Sequence, residues 1–266
     1  MKHLMKSVVV FFAVFFVLIG SMTYAQTALS SETRTASIDG NKWEFRLIPY
    51  TWLIAMDTKA TVGNYTADTK ISFSDIFQDI NLAGQLHFEA QKGKWGFFID
   101  PTYLKLSQSG RLRDGRDLRM QVEQWLVEFG GTYQLGKWSL EEKGKQSITV
   151  DALGGGRFWY LSANLDTSNA INPSRTTQWV DPFIGASLKA DITERLLFNI
   201  RGDVGGFSVG SDFSWNALGI FGYRFTEDIT GLLGYRALYV DYKAGTSSVR
   251  YNMTVHGPIM GLSLSF

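Results

Sequence analysis

From about residue 42 to the end of the chain, apolar and polar residues alternate in stretches of ten or more, divided by polar or glycine-bearing links. Period-two alternation places successive side chains on opposite faces of a strand. The first stretch, 42–55, opens Trp43-Glu44-Phe45-Arg46-Leu47. The second, 82–91, sets Leu82, Gly84, Leu86, Phe88 and Ala90 against Gln85, His87 and Glu89. The third, 94–106, sets Trp95, Phe97, Ile99 and Tyr103 against Asp100 and Thr102. Further strands are predicted over 118–135, 146–161, 177–190, 194–208, 212–225, 228–242 and 249–266. The pattern therefore predicts about ten strands, many longer than the roughly 9–11 tilted residues that cross a bilayer.

The links supply a second pattern. Gln91-Lys92-Gly93-Lys94, Asp191-Ile192-Thr193-Glu194 and Thr226-Glu227-Asp228 are tight turns, whereas 107–117, 162–176, 209–211 and 244–248 are longer or glycine-rich. Short turns at one end and longer loops at the other describe an all-β, antiparallel up-and-down transmembrane β-barrel. The link at 137–145 is the exception, a long connection on the short-turn side. Residues 58–73 read as a short hairpin and 74–80 as an amphipathic helix capped by Ser74, both in the first outer loop. If that hairpin joins the wall and the last strand breaks at His256-Gly257-Pro258, the count becomes twelve. A soluble β-sandwich would need shorter strands, with turns every 8–12 residues.

Both ends of the chain bear on where such a barrel resides. Residues 260–266 alternate to the last position, with Met260, Leu262, Leu264 and Phe266 on one face and Gly261, Ser263 and Ser265 on the other. This ending resembles the C-terminal assembly signal of Gram-negative outer-membrane barrels. At the start, Lys2, His3 and Lys6 precede an apolar run from Val8 to Ile19, and small residues lead to Ala25. The run is short of a membrane span and has the flanks of a secretory signal peptide cleaved after Ala25. The predicted organisation is a signal peptide at 1–25, a polar periplasmic segment at 26–41 and a barrel at 42–266.

Composition changes the picture in three ways. The chain has no Cys, which excludes disulfides, thiolate metal sites and a lipidated N-terminal Cys. Loss of Lys2 and Lys6 takes the formal net charge from +1 to −1, giving no footprint for a nucleic-acid partner. Mean hydropathy near zero suits a barrel that hides its apolar face as every second residue.

If the apolar face meets lipid, its partner face lines the interior. That face carries Arg46, His87, Glu89, Asp100, Glu128, Asp151, Arg157, Asp181, Lys189, Arg201, Asp203, Arg224 and Arg236, with both signs in near-equal measure. Buried charges require partners, and Asp181 with Arg201 on adjacent strands is one expected pair. Gly155, Gly185, Gly205, Gly222 and Gly234 on this face are expected to make room for the arginines. A lumen of this strand number is nearly filled by side chains, so the interior is expected to be charge-paired and mostly closed. Trp43, Trp95, Tyr103, Trp125, Tyr133, Trp215, Tyr223 and Tyr235 fit interfacial girdles.

Candidate chemistry is thin, and no catalytic, metal or cofactor-binding residue is assigned. His87 lacks a second nearby His or Cys to make a metal site. His256, with Asp241 and either Ser247 or Ser248, allows a Ser/His/Asp arrangement to be drawn near the outer rim. That is the basis of an alternative reading as a lipid-modifying enzyme. Ile76 and Phe77 in the first outer loop carry another, in which a partner or ligand binds there. Gly154-Gly155-Gly156 lacks the Lys-Ser/Thr that a phosphate loop needs.

Longer runs carry a family resemblance. They include Ser72-Phe73-Ser74-Asp75-Ile76, Glu89-Ala90-Gln91-Lys92-Gly93-Lys94-Trp95-Gly96 and Gly155-Gly156-Arg157-Phe158-Trp159-Tyr160-Leu161. With them stand Trp179-Val180-Asp181-Pro182-Phe183-Ile184-Gly185-Ala186, the segment 201–212, Gly234-Tyr235-Arg236, Val240-Asp241-Tyr242 and His256-Gly257-Pro258. The chain resembles a widespread, functionally uncharacterised family of Gram-negative outer-membrane β-barrels, distantly akin to the small barrels of the porin superfamily. The resemblance implies fold and location and carries over no functional residue. The expectation is a non-enzymatic, structural or small-solute permeation barrel. Its expected partners are outer-membrane lipids and lipopolysaccharide, with the barrel-assembly machinery and periplasmic chaperones during biogenesis, and no nucleic acid.

Overall fold

The computed structural model describes residues 42–62, 65–111, 117–140, 146–167, 174–243 and 249–266. The predicted signal peptide and polar segment lie outside these residues. Twelve strands and one short helix follow in order: β1 (Trp43–Trp52), β2 (Ala55–Val62), β3 (Tyr65–Ile71), α1 (Phe73–Asp79), β4 (Ile80–Lys92), β5 (Trp95–Arg111) and β6 (Asp117–Ser139). Then come β7 (Ser147–Thr167), β8 (Ser174–Asp191), β9 (Leu196–Gly205), β10 (Phe213–Arg224), β11 (Ile229–Lys243) and β12 (Val249–Ser265). β1 and β4 through β12 pair antiparallel in sequence, and β12 pairs back on β1, closing a ten-stranded barrel. Both expected counts meet here, because the β2–β3 hairpin adds two strands to the wall beyond the closed ring.

The junction explains how. β12 pairs with β1 from Ile259 to Ser265 and with β2 from Val249 to His256. The expected single strand at 42–55 therefore breaks after Trp52, while β12 runs past the handover. Leu53 N–H donates to Pro258 O at 2.9 Å, so the break leaves no orphan donor there. Gly257 lies against this crossing: a Cβ would sit 2.9 Å from the Leu53 carbonyl carbon, a space only glycine leaves free.

Short turns and Phe266 share one end, called here the turn end. The link at 137–145 starts as strand, since β6 runs to Ser139 and Leu140 N–H still bonds Gln146 O at 3.0 Å; residues 141–145 lie outside the described residues. At the opposite, loop end the described margins of the expected links 107–117 and 162–176 are strand. β5 pairs with β6 out to Arg111, and β7 with β8 out to Asn164. Hydrophobic alternation reports contact with an apolar phase, whereas strand pairing continues wherever backbone groups find each other. Expected loop 244–248 lies outside the described residues.

The outward face is apolar as expected. Trp95, Phe97, Ile99, Phe129, Ile184, Ile200, Phe221, Leu233 and Met260 are all exposed, whereas their inward neighbours Phe98, Asp100, Glu128 and Arg201 are buried. Girdle aromatics form cross-strand pairs, with Trp95 on Tyr133 at 4.7 Å and Tyr103 on Trp125 at 4.5 Å between ring centroids.

Candidate functional site

The barrel interior is layered, and each layer follows from which strand positions share a level. At the turn end Glu89 receives Arg46 at 2.9 Å and Lys189 at 3.4 Å. Lys189 also reaches Asp151 at 3.2 Å, and Asp151 accepts from Ser187. Arg224 pairs with Asp191, which also takes the Ser147 hydroxyl.

At mid-height the polar groups close into one network. Glu128 accepts from Arg157 Nε and Arg236 Nη2, each at 2.6 Å, and Arg201 Nη2 lies 3.7 Å away. Asp203 accepts from Arg157 Nη2 at 2.6 Å, from Arg201 at 3.1 Å and from Asn216 at 2.9 Å. Asn216 in turn accepts from Arg236 Nε, and Ser214 from Arg157 Nη1. Asp100 takes the Tyr50 hydroxyl at 2.6 Å and lies 3.1 Å from His87 Nδ1. Three carboxylates (Asp100, Glu128, Asp203) thus face three guanidiniums (Arg157, Arg201, Arg236). Aromatic faces complete the packing: Arg201 lies over Phe98 at 4.9 Å, Arg157 over Phe183 at 5.1 Å and Arg236 over Trp52 at 4.9 Å. The side chains of Arg157, Glu128 and Asp203 are 0%, 1% and 0% exposed, so no solvent reaches them.

Above this network the lumen turns apolar. Trp52, Ile54, Leu104, Leu126, Trp159, Leu238, Val240, Met253, Val255 and Ile259 pack together, with Trp179, Leu218 and Tyr242 against them. A polar, charge-paired interior was the expectation. The correction is that the lumen-facing positions become hydrophobic on the loop side of the charges, for example Leu104 beyond Asp100 and Trp159 beyond Arg157. Helix α1 contributes Ile76, which is 2% exposed and belongs to this cluster. Ile76 is therefore turned inward and unavailable to an external partner; the Phe77 side chain lies outside the described set. The helix starts one residue earlier than expected, with Ser72 rather than Ser74 as its cap. Ser72 Oγ and N–H donate to Asp75 Oδ2 at 2.6 and 3.1 Å, and Asp75 N–H points back at Ser72 Oγ at 3.4 Å. This reciprocal S-x-x-D arrangement satisfies donors at the helix start.

Of the expected lumen charges, all but one form ion pairs. The exception corrects the Asp181–Arg201 expectation. β9 stops at Gly205 opposite Phe183, and Arg201 lies across from Ser187, so Asp181 stands beyond the last β9 residue. Its carboxylate accepts instead from Ser211 N–H at 2.6 Å and the Trp179 indole at 3.2 Å. The glycines also act differently from expectation. A Cβ at Gly155 would lie 2.7 Å from Gly130 Cα, and one at Gly185 would lie 2.7 Å from Asp203 Cα. They permit close approach of neighbouring strand backbones; at Gly222 the neighbour is the Leu197 side chain. Sequence reasoning missed Tyr50, Ser214 and Asn216. Tyr50 continues the period-two series from Arg46, which was the signal available.

His256 projects from the outer wall. Its Nδ1 is 2.7 Å from the Tyr235 hydroxyl, its Nε2 is 3.6 Å from Asp57 Oδ2, and its ring stacks on Tyr235. Asp241 pairs in register with Asn252, whereas His256 pairs with Ala237. The His256–Asp241 contact of the alternative arrangement is thus not formed; Ser247 and Ser248 lie outside the described residues.

No family model matches the chain, and no curated protein matches it. Solved structures do. The outer membrane protease OmpT of Escherichia coli superposes with a TM-score of 0.50 at 11% identity, over 85% of this chain and 97% of that one. The transport unit of the autotransporter AIDA-I from Escherichia coli gives 0.40 at 8% identity, over 93% and 97% of the two chains. Ail of Yersinia pestis gives 0.33 at 9%, over 85% and 99%. At 11% identity the likeness to OmpT is one of fold, and that fold is an outer-membrane β-barrel.

Proposed function

We infer that this chain is an exported, integral outer-membrane barrel that is non-enzymatic, non-conducting and structural in role, with its turn end in the periplasm. In this reading residues 1–25 are removed on export. Met260, Leu262, Leu264 and Phe266 present the assembly signal to the barrel-assembly machinery, and the outward apolar face meets outer-membrane lipids and lipopolysaccharide. One observation carries the closed lumen: the Glu128–Arg157–Asp203 knot has essentially no exposed surface and is covered on the loop side by an apolar layer. A solute would have to break several short charge-assisted bonds and then cross packed Trp, Leu and Val side chains. Each step is costly in a low-dielectric interior.

The same engagement supports the non-enzymatic reading. Glu128 and Asp203 are saturated by guanidinium donors, and both ring nitrogens of His256 face partners. The protease activity named for OmpT belongs to that protein.

Planar-bilayer recording of the purified, folded chain tests the closed lumen. The expected record shows no stepwise current at any applied voltage; reproducible unitary openings would refute it. Lipid A and phospholipid profiles of cells carrying His256→Ala should match wild type, and a changed profile would restore the lipid-modifying alternative.

A further inference from the structure

A polar column climbs the outer wall where the lipid-facing surface is otherwise apolar. From Phe266 upward, β12 presents Leu264, Leu262, Met260 and Pro258 outward, and the next outward residue is His256. The ten residues from Phe266 to His256, on a tilted strand, rise about 25 Å, the height of the apolar band of such barrels. His256 therefore stands at the outer margin of that band, where acyl chains give way to headgroups. Ionisable side chains facing lipid are costly and mark functional positions. The residues beside it in register are Ala237 on β11 and Ala55 on β2, too small to cover the ring.

Three strands build the column. Tyr235 of β11 donates its hydroxyl to His256 Nδ1 at 2.7 Å, and the two rings stack at 6.2 Å and 29°. With Nδ1 as acceptor, the ring N–H stands on Nε2. That N–H faces the Asp57 carboxylate of β2 at 3.6 Å, beyond hydrogen-bonding distance. Met56 and Ile71 pack inward on the apolar cluster, so by alternation Asp57, Lys59 and Lys70 point outward. Lys70 lies across from Asp57 in register, and both lysines are exposed. The column thus runs from a phenol at acyl depth, through an imidazole N–H, to a carboxylate with a lysine on either flank. Stability gives little reason for it, because His256 and Asp57 are 32% and 46% exposed and so loose a pair contributes little.

We propose that this column binds the headgroup of one lipopolysaccharide molecule on the outside of the barrel. Its phosphate meets the His256 Nε2–H and the Lys59 and Lys70 ammonium groups. A sugar hydroxyl or acyl-amide N–H donates to Asp57, and the acyl chains lie down the wall over Ala237, Leu233 and Met260. A free phosphate brings the anion without chains for that wall, and Asp57 repels it. The phosphorylated, N-acylated disaccharide that heads lipopolysaccharide carries anion, donors and chains on one rigid frame. The site rests on the inferred placement of the apolar wall in the outer membrane.

Native mass spectrometry of the full folded barrel, released from detergent micelles, counts bound lipid. The probes are lipid A, its dephosphorylated form and phosphatidylglycerol. Wild type should retain one lipid A molecule and hold the other two at least about tenfold more weakly. His256→Ala and the double variant Lys59→Gln/Lys70→Gln should each weaken lipid A retention about tenfold, the scale of a lost charge-assisted bond, and leave phosphatidylglycerol unchanged. Arg195→Gln, exposed at the turn end, should behave as wild type. The lysines are exposed, so the double variant carries the test if His256→Ala does not fold. Urea midpoints without added lipid detect a purely structural staple: a lower midpoint in His256→Ala with lipid A retention unchanged overturns the proposal. Equal retention of all three lipids, or no retained lipid A, also overturns it. Cell fractionation reads the membrane placement separately. A barrel found outside the outer membrane sinks the placement, whereas one found there that retains no lipid A sinks the site alone.

Discussion

Replacing Glu128 with Gln removes the carboxylate that three arginines share while nearly keeping its shape. In the wild type it accepts two bonds of 2.6 Å from Arg157 and Arg236 and faces Arg201 at 3.7 Å. The amide keeps one oxygen as acceptor but turns an NH₂ toward a guanidinium, so one strong bond becomes a donor–donor clash. The charge balance also shifts, leaving Asp100 and Asp203 against three arginines. Removing one partner of a buried pair costs about 3–5 kcal/mol, a range that lies within the roughly 1.5–6 kcal/mol from losing one or two charge-assisted bonds at about 1.5–3 kcal/mol each. Arg46→Gln is the control. Arg46 is 38% exposed, and its partner Glu89 keeps Lys189, so screening holds the expected loss to about 0–1 kcal/mol. Urea unfolding of both variants in detergent, followed by tryptophan fluorescence and by gel mobility of unboiled samples, compares them directly. With slopes of about 1–3 kcal/mol per M, Glu128→Gln should lower the midpoint by at least about 1 M. Glu128→Gln/Arg236→Gln should cost less than the two single changes together, because the second removes the charge the first leaves unpaired. A Glu128→Gln midpoint within error of Arg46→Gln would refute the view that the knot is the dry, stability-bearing centre of the lumen.

Gly155→Ala would force a Cβ to 2.7 Å from Gly130 Cα and should destabilise the barrel by about 1–3 kcal/mol, as overpacking does. Gly219→Ala, with nothing within 4 Å, should leave the unfolding midpoint unchanged in the same assay. The Ser72 hydroxyl and then its backbone N–H hold the Asp75 carboxyl below the usual carboxylate range. Its capping contribution is thus complete above the ordinary carboxylate pKa and lost as pH falls through the lower folded-state value. Amide protection factors in α1 should fall over that acidic interval in wild type and show no such step in Asp75→Asn. Deleting Phe266 removes the paired 3.0 Å bonds between Phe45 and Phe266 and their ring stack at 5.9 Å. The heat-modifiable fraction recovered from cells should drop, and an unchanged fraction would argue against a seam and assembly role for this residue.

Alternation made the faces of each strand legible because period two is a property of the chain itself. Extending it from Arg46, Glu128 or Arg157 also identified most of the charges that meet inside. Which of them pair depends on stagger between strands, and stagger is set where strands stop. Asp181 and Arg201 sit on neighbouring strands, yet β9 ends before Asp181 has an opposite residue. The handover from β1 to β2 along β12 was visible only as a Gly257-Pro258 irregularity, since its cause is the contact between Leu53 and Pro258, remote in sequence. The polar outer lengths of β5 through β8 read as loops because alternation follows the surrounding phase, while hydrogen bonding does not.

The apolar layer was harder to read for a specific reason. Leu104, Leu126, Trp159, Leu238 and Val240 occupy lumen parity but have the composition of lipid-facing residues, so composition and period conflict at those positions. The conflict is resolved by the charges beneath. A network of three carboxylates and three guanidiniums in contact with water would be weakened by hydration and exchange. Under a dry lid the same pairs interact in a lower dielectric, and every remaining donor must find a protein partner. Asn216 bridging Arg236 and Asp203, Ser214 on Arg157, and Tyr50 on Asp100 are those partners. The hydrophobic layer and the polar knot therefore depend on each other. The lid keeps the knot dry, and the knot, by neutralising its own charge, leaves no uncompensated ion beneath the lid to draw water through it. That mutual dependence, more than strand number, closes this barrel.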